Sequence, residues 1–125
     1  MINLVFTIIG SISLIAWGTA HLFPTKAVIK GFGDISKDNK EILKMEWMTE
    51  GFSLIFTGLL VLLVSLFGDP ASISSRIVNF TSSTFLTSLA VLSLFTGFKV
   101  NFLPYKLCPL IFSLSAILIL MGSLL

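Results

Sequence analysis

Four apolar stretches, at about residues 2–23, 48–68, 77–98 and 107–125, constrain this chain more than any other feature. Each approaches the ~20 residues that an α-helix needs to cross a hydrocarbon core about 30 Å thick. A backbone inside a bilayer must satisfy its own hydrogen bonds, so the choice lies between helices and a closed barrel. Barrel strands alternate in polarity, whereas Leu59 to Val64 and Ile117 to Leu120 are apolar on every face. The expected fold is therefore all-α: a polytopic transmembrane four-helix bundle. Its helices are expected at about 2–23, 37–68, 75–98 and 104–125. With 125 residues in the chain, these spans leave no room for a soluble domain, which makes 1–125 one compact unit.

Charge sets the threading. Residues Asp, Glu, Lys and Arg make up only 11% of the chain, and most of them fall between Lys26 and Glu50. Lys26, Lys30, Lys37, Lys40 and Lys44 lie between spans one and two, and Lys99 and Lys106 lie between spans three and four. The other side of the membrane holds Arg76 alone, a tally of seven against one. The positive-inside rule then places loops 24–47 and 99–106 in the cytoplasm and both termini outside. Asp34, Asp38, Glu41, Glu46 and Glu50 offset the five lysines of the first loop, so a polybasic surface for nucleic acid is excluded. No Lys or Arg precedes Lys26, which argues for a retained first helix rather than a signal peptide.

Local signals place the helix ends. Pro24 closes the first span, and Ser36 can cap the second helix with Asp38 in its first turn. The greasy connection around Gly31-Phe32-Gly33 reads as an ordered turn held against the bundle. Gly68-Asp69-Pro70 ends helix two. The hydroxyl residues Thr81, Ser82, Ser83, Thr84, Thr87 and Ser88 of the third span read as interhelical filler. Pro109 is expected in the first turn of the last helix, where a missing N–H costs least.

Candidate chemistry gathers at the lysine-rich boundary. Glu46, Glu50, Ser53 and Thr57 follow at spacings of 4, 3 and 4, which makes a polar stripe descending into the membrane. His21 ends helix one, Tyr105 and Lys106 open helix four at the same depth, and Asp34 lies in the loop above. An ionisable group as deep as Glu50 is costly unless it is paired or faces the bundle interior or water. A tie between helix ends is one reading of this cluster, and a proton-handling or binding site is the other. Trp17 and Trp47 read as interfacial aromatics. One His without an HxxxH pattern or a CxxC leaves no metal site, and Cys108 stands alone.

The segments Ala20-His21-Leu22-Phe23-Pro24, Gly31-Phe32-Gly33-Asp34-Ile35-Ser36, Met45-Glu46-Trp47 with Glu50-Gly51, and Pro104 to Pro109 carry a resemblance. Together they resemble a group of small bacterial four-helix membrane proteins of unassigned activity, similar to the DoxX-like families. The resemblance implies a bacterial inner-membrane location. It also implies kinship with subunits of oxidoreductase complexes that pass electrons to quinone. The chain has no cofactor motif of its own, so quinone enters only through the resemblance. The use of His, Glu and Trp in a membrane bundle is also similar to sterol-isomerase-type proteins, in residue types alone.

The sequence thus reads as a small integral membrane protein, a subunit of a membrane complex or a binder of a small apolar molecule such as a lipid or quinone. The alternatives are a membrane enzyme, an oxidoreductase component or isomerase with a His/Glu proton-transfer site, and a small oligomeric transporter. The expected partners are the lipid bilayer and a membrane protein or further copies of the chain.

Overall fold

The computed structural model describes residues 2–125. The described chain forms helices α1 (Ile2–Leu22), α2 (Thr25–Gly31), α3 (Lys37–Phe67), α4 (Ile73–Phe95) and α5 (Leu103–Leu124), with a 3-10 turn at Gly97–Lys99. Four of these, α1, α3, α5 and α4 extended through the 3-10 turn, are long and apolar enough to cross a membrane. The fold is an all-α bundle, and the protein is of the multi-pass membrane type.

The connections follow the physics of helix ends. Between α1 and α3 the chain winds into the short helix α2, where the sequence suggests only a turn. Gly33 then turns the chain with a φ of 74°, a left-handed conformation that side chains resist. Ser36 caps α3 by accepting a bond from the Asn39 N–H at 3.2 Å. Ser72 caps α4 from the Ser75 N–H at 3.1 Å, and Ser75 Oγ donates back to the Asp69 carbonyl at 2.7 Å. Helix α5 begins a turn ahead of Pro109, so that proline lies inside it rather than in its first turn. The ring removes the N–H that would serve the Tyr105 carbonyl.

Helix α1 is central. It packs against α3 on one side and α5 on the other, and α5 in turn packs against α4. Apolar surface gains little by leaving lipid, so close approach of backbones has to hold such helices together. Glycines make that approach. A Cβ on Gly18 would stand 2.7 Å from the Gly51 carbonyl oxygen, and one on Gly58 would stand 2.7 Å from that of Ser11. Toward α5, a Cβ on Gly10 would meet Ile119 Cγ1 at 3.0 Å, and one on Gly122 would meet the Asn3 carbonyl at 2.6 Å. Gly10 and Gly18 thus serve two different neighbours of α1.

The core lies where these helices meet, around Leu14, Leu54, Leu86, Phe112 and Ile119, all at most 1% exposed. Ser83 Oγ ties α4 to α5 through the Ala116 carbonyl at 3.2 Å. The remaining pair is different. Joined at the Asp69 turn, α3 and α4 otherwise scarcely touch. The helices therefore run α3–α1–α5–α4 around an arc whose two ends do not close.

Candidate functional site

His21 sits in the last turn of α1, with its ring buried. The carbonyls of a final helical turn have no partner in their own helix. Pro24 removes one following N–H that might otherwise turn back. Trp47 of α3 supplies the missing donor: its indole N–H bonds to the His21 carbonyl at 2.8 Å. The same indole stacks on the His21 imidazole, with centroids 3.8 Å apart and planes 16° from parallel. Tyr105 of α5 meets Trp47 edge-on at 5.5 Å, and Phe102 meets Tyr105 edge-on at 5.8 Å. An aromatic run thus connects α1, α3 and the start of α5.

Glu50, one turn below Trp47, brings Oε2 to 3.4 Å from His21 Nε2. The pair is unequal, with side chains 5% exposed at His21 and 37% at Glu50. The contact lacks hydrogen-bond alignment, and His21 Nε2 makes no hydrogen bond among the described residues. The imidazole is held by stacking and packing, while the carboxylate looks outward into a cavity.

That cavity has a volume of about 940 Å³ and fills the gap between α3 and α4. Glu46, Glu50 and Ser53 line it from α3, Phe85 and Leu89 from α4, and Phe112 from α5. Ala27, Val28, Ile29 and Phe32 of the α2 segment cover its lysine-rich end. A second groove of about 600 Å³ continues along the same gap, lined by Ser53, Thr57 and Ser82 among others. All four members of the polar stripe therefore border the opening between α3 and α4. A volume near 940 Å³ suits a lipid- or drug-sized molecule.

The other predicted site residues disperse. Glu46 lines the cavity but is exposed and has no ion-pair partner among the described residues. Lys106 and Asp34 are exposed and make no ion pair among those residues. Trp17 and Trp47, read from the sequence as interfacial aromatics, turn inward instead. Trp47 is 8% exposed, and Trp17 is half-buried against the core with its indole N–H lacking a bond. Packing against α1 overrides the belt preference for Trp47, because it falls on the face shared with Gly51, Leu54, Gly58 and Val61. That spacing of 4, 3, 4 and 3 was the signal for an inward Trp47.

Much of the cavity wall escaped the sequence reading, Phe85, Leu89 and Phe112 among it. Nothing in their local pattern distinguishes a cavity wall from ordinary helix packing. Among the described residues no three of His, Cys, Asp and Glu gather as a metal set. Comparison of the chain with protein-family models, curated proteins and solved structures finds no match.

Proposed function

We propose that this membrane protein binds a small, largely apolar molecule with a polar end, of the class that includes lipids and quinones. The molecule enters sideways from the bilayer between α3 and α4. The observation that carries this reading is the 940 Å³ cavity, apolar over most of its wall, whose opening is bordered by the polar stripe from Glu46 to Thr57. An amphipathic molecule can place its chain among Phe85, Leu89 and Phe112 and its polar end at Glu50. Ser53 lines both the cavity and the groove, so a bulky residue there blocks the path. Native mass spectrometry of gently solubilised protein tests the reading. The wild type is expected to carry a small-molecule adduct that Ser53→Phe loses. Equal adducts on both proteins would refute it.

A second reading, a membrane enzyme that moves a proton, is favoured by the 3.4 Å approach of Glu50 to His21. Glu50→Gln separates the two. A binder tolerates the amide in part, whereas proton transfer requires the carboxylate.

The proposed setting is a bacterial inner membrane with the lysine-rich end in the cytoplasm and both termini outside, as the distribution of Lys and Arg supports. A C-terminal reporter active only in the cytoplasm should then stay silent, and activity would reverse the orientation.

A further inference from the structure

We infer that the polar end of the bound molecule is an organic ammonium group, so that the cavity takes cationic amphiphiles in preference to neutral or anionic ones. The inference rests on the binding reading above and narrows it by charge.

The first observation is the sign of the wall. Among the described residues that line the cavity, Glu46 and Glu50 are the charged ones, and no Lys, Arg or His joins them. Lys44, the nearest lysine in sequence to Glu46, reaches instead to Glu41 at 3.8 Å. Glu50 has one cationic candidate, His21, behind it and not aligned for a hydrogen bond. A carboxylate facing an apolar space is costly until a cation joins it.

The second observation is independent of charge. A neutral acceptor such as a quinone carbonyl needs hydrogen-bond donors. Three of the cavity's five hydroxyls have spent theirs, while those of Thr49 and Tyr105 donate to no group among the described residues. Ser53 donates to the Thr49 carbonyl at 2.7 Å, Ser93 to Ala90 at 2.9 Å and Thr96 to Leu92 at 2.7 Å. The oxygens of these groups remain as acceptors, like the two carboxylates. Two carboxylates and three spent hydroxyls against two free hydroxyls make a wall on which acceptors outnumber donors, and that suits an N–H-bearing cation.

The third observation is aromatic. Phe32, Phe85, Phe102, Tyr105 and Phe112 border the same space, and the faces of such rings attract ammonium groups. An anionic head meets two carboxylates and no cation among the residues that line the cavity. An apolar chain with an ammonium end finds partners along its whole length.

The head group could belong to an aminophospholipid or to a free lipophilic amine, since both present the same ammonium. The test uses purified protein in a neutral detergent and follows Tm with three probes of equal chain length: dodecylammonium, dodecanol and dodecanoate. Dodecylammonium is expected to raise Tm by several degrees and dodecanoate to leave it unchanged, because a ligand that binds the folded state stabilises it. Glu46→Gln with Glu50→Gln should weaken dodecylammonium binding by about tenfold or more and leave dodecanol unaffected. Should the double variant fold poorly, Glu46→Gln alone, at an exposed position, should still weaken the ammonium by about threefold.

Equal shifts from dodecylammonium and dodecanoate would overturn the inference, as would undiminished ammonium binding by the Gln variants. If dodecanol or a neutral quinone stabilises the protein as well as the ammonium does, the charge preference falls while the binding reading stands. If no probe acts, both fall. Native mass spectra in a mixture of phosphatidylethanolamine and phosphatidylglycerol then locate the source. Retention of the ethanolamine lipid supports a lipid head group, and retention of neither, with the ammonium shift intact, supports a free amine. Preferential retention of phosphatidylglycerol would count against the inference.

Discussion

Helix α3 meets its two neighbours in opposite ways. Toward α1 it offers Gly51 and Gly58, and the backbones come so close that a Cβ on Gly58 would stand 2.7 Å from the Ser11 carbonyl. Toward α4 it offers Glu46, Glu50, Ser53 and Thr57, and a cavity intervenes. The two stripes occupy adjacent faces of one helix. Where the small residue is glycine, the backbones touch and exclude lipid. Where it is a hydroxyl residue bonded to its own helix, as Ser53 is to Thr49, the neighbouring helix is not drawn in. Side-chain size alone therefore does not decide which seam closes. The absence of a Cβ on one side and the acidic groups on the other do.

The largest effect is expected at the closed seam. Gly18→Leu would drive a Cβ to 2.7 Å from the Gly51 carbonyl and 2.9 Å from the Ile55 amide, and neither backbone group can yield. Forcing extra atoms into a packed contact costs roughly 1–3 kcal/mol, and a backbone clash belongs at or above about 3 kcal/mol. Loss of most folded protein in detergent is the expected outcome, with Leu63→Met, at an exposed position outside the cavity and the groove, as the control. A Gly18→Leu protein as stable as the control would show that α1 and α3 are not held as described.

Much of this contrast is legible in the sequence, and part of it is not. The four spans follow from apolar length, and the polar stripe of α3 follows from helical spacing alone. The partnership of His21 with Glu50 follows from depth, since both lie at the same end of the bundle. Adjacency is harder. Nothing local tells that α4 turns its small polar face, Ser75, Asn79, Ser82 and Ser83, inward while leaving α3 aside. The six hydroxyls of α4 from Thr81 to Ser88 look like interhelical filler, yet three of the six bond back to their own helix, Thr84 to Phe80, Thr87 to Ser83 and Ser88 to Thr84, and among the described residues Ser83 alone donates to α5. A serine that bonds to its own turn and one that crosses to a neighbour have the same sequence signature. Trp47 is ambiguous for a related reason: a tryptophan near a boundary suits a headgroup belt and a helix cap equally, and its heptad-like companions decide.

A middle-sized effect is expected at the aromatic junction between the seams. Trp47→Phe keeps a ring against His21 but removes the N–H that serves the His21 carbonyl at 2.8 Å. Leaving a buried carbonyl without its donor costs about 1–3 kcal/mol. A clear drop in Tm is expected, smaller than for Gly18→Leu. No drop would mean that another group satisfies the end of α1 and that Trp47 serves the cavity alone.

Glu50→Gln should cost less. The pair with His21 is not aligned as a hydrogen bond, and the carboxylate is 37% exposed, so its loss is expected to change stability by under about 1 kcal/mol. The amide still accepts a hydrogen bond. A drop as large as that of Trp47→Phe would make the pair a structural tie between α1 and α3 and weaken its role in the cavity.

The smallest effect on stability, and the sharpest probe of the open seam, is Ser53→Phe. Ser53 crosses to no other helix, because its hydroxyl bonds to Thr49 of the same helix. Its removal therefore breaks no tie between helices. The new ring has room, since Ser53 borders both the 940 Å³ cavity and the 600 Å³ groove. Away from packed contacts, substitutions stay within about 0.5 kcal/mol of neutral. Unchanged Tm with loss of the retained molecule is the expected pair of results. The same ring placed at Gly58, a few residues further along α3 but against the Ser11 carbonyl, should unfold the protein. If Ser53→Phe were as disruptive as a large residue at Gly58, α3 and α4 would have to close on each other in the membrane, and the contrast between the two faces of α3 would vanish.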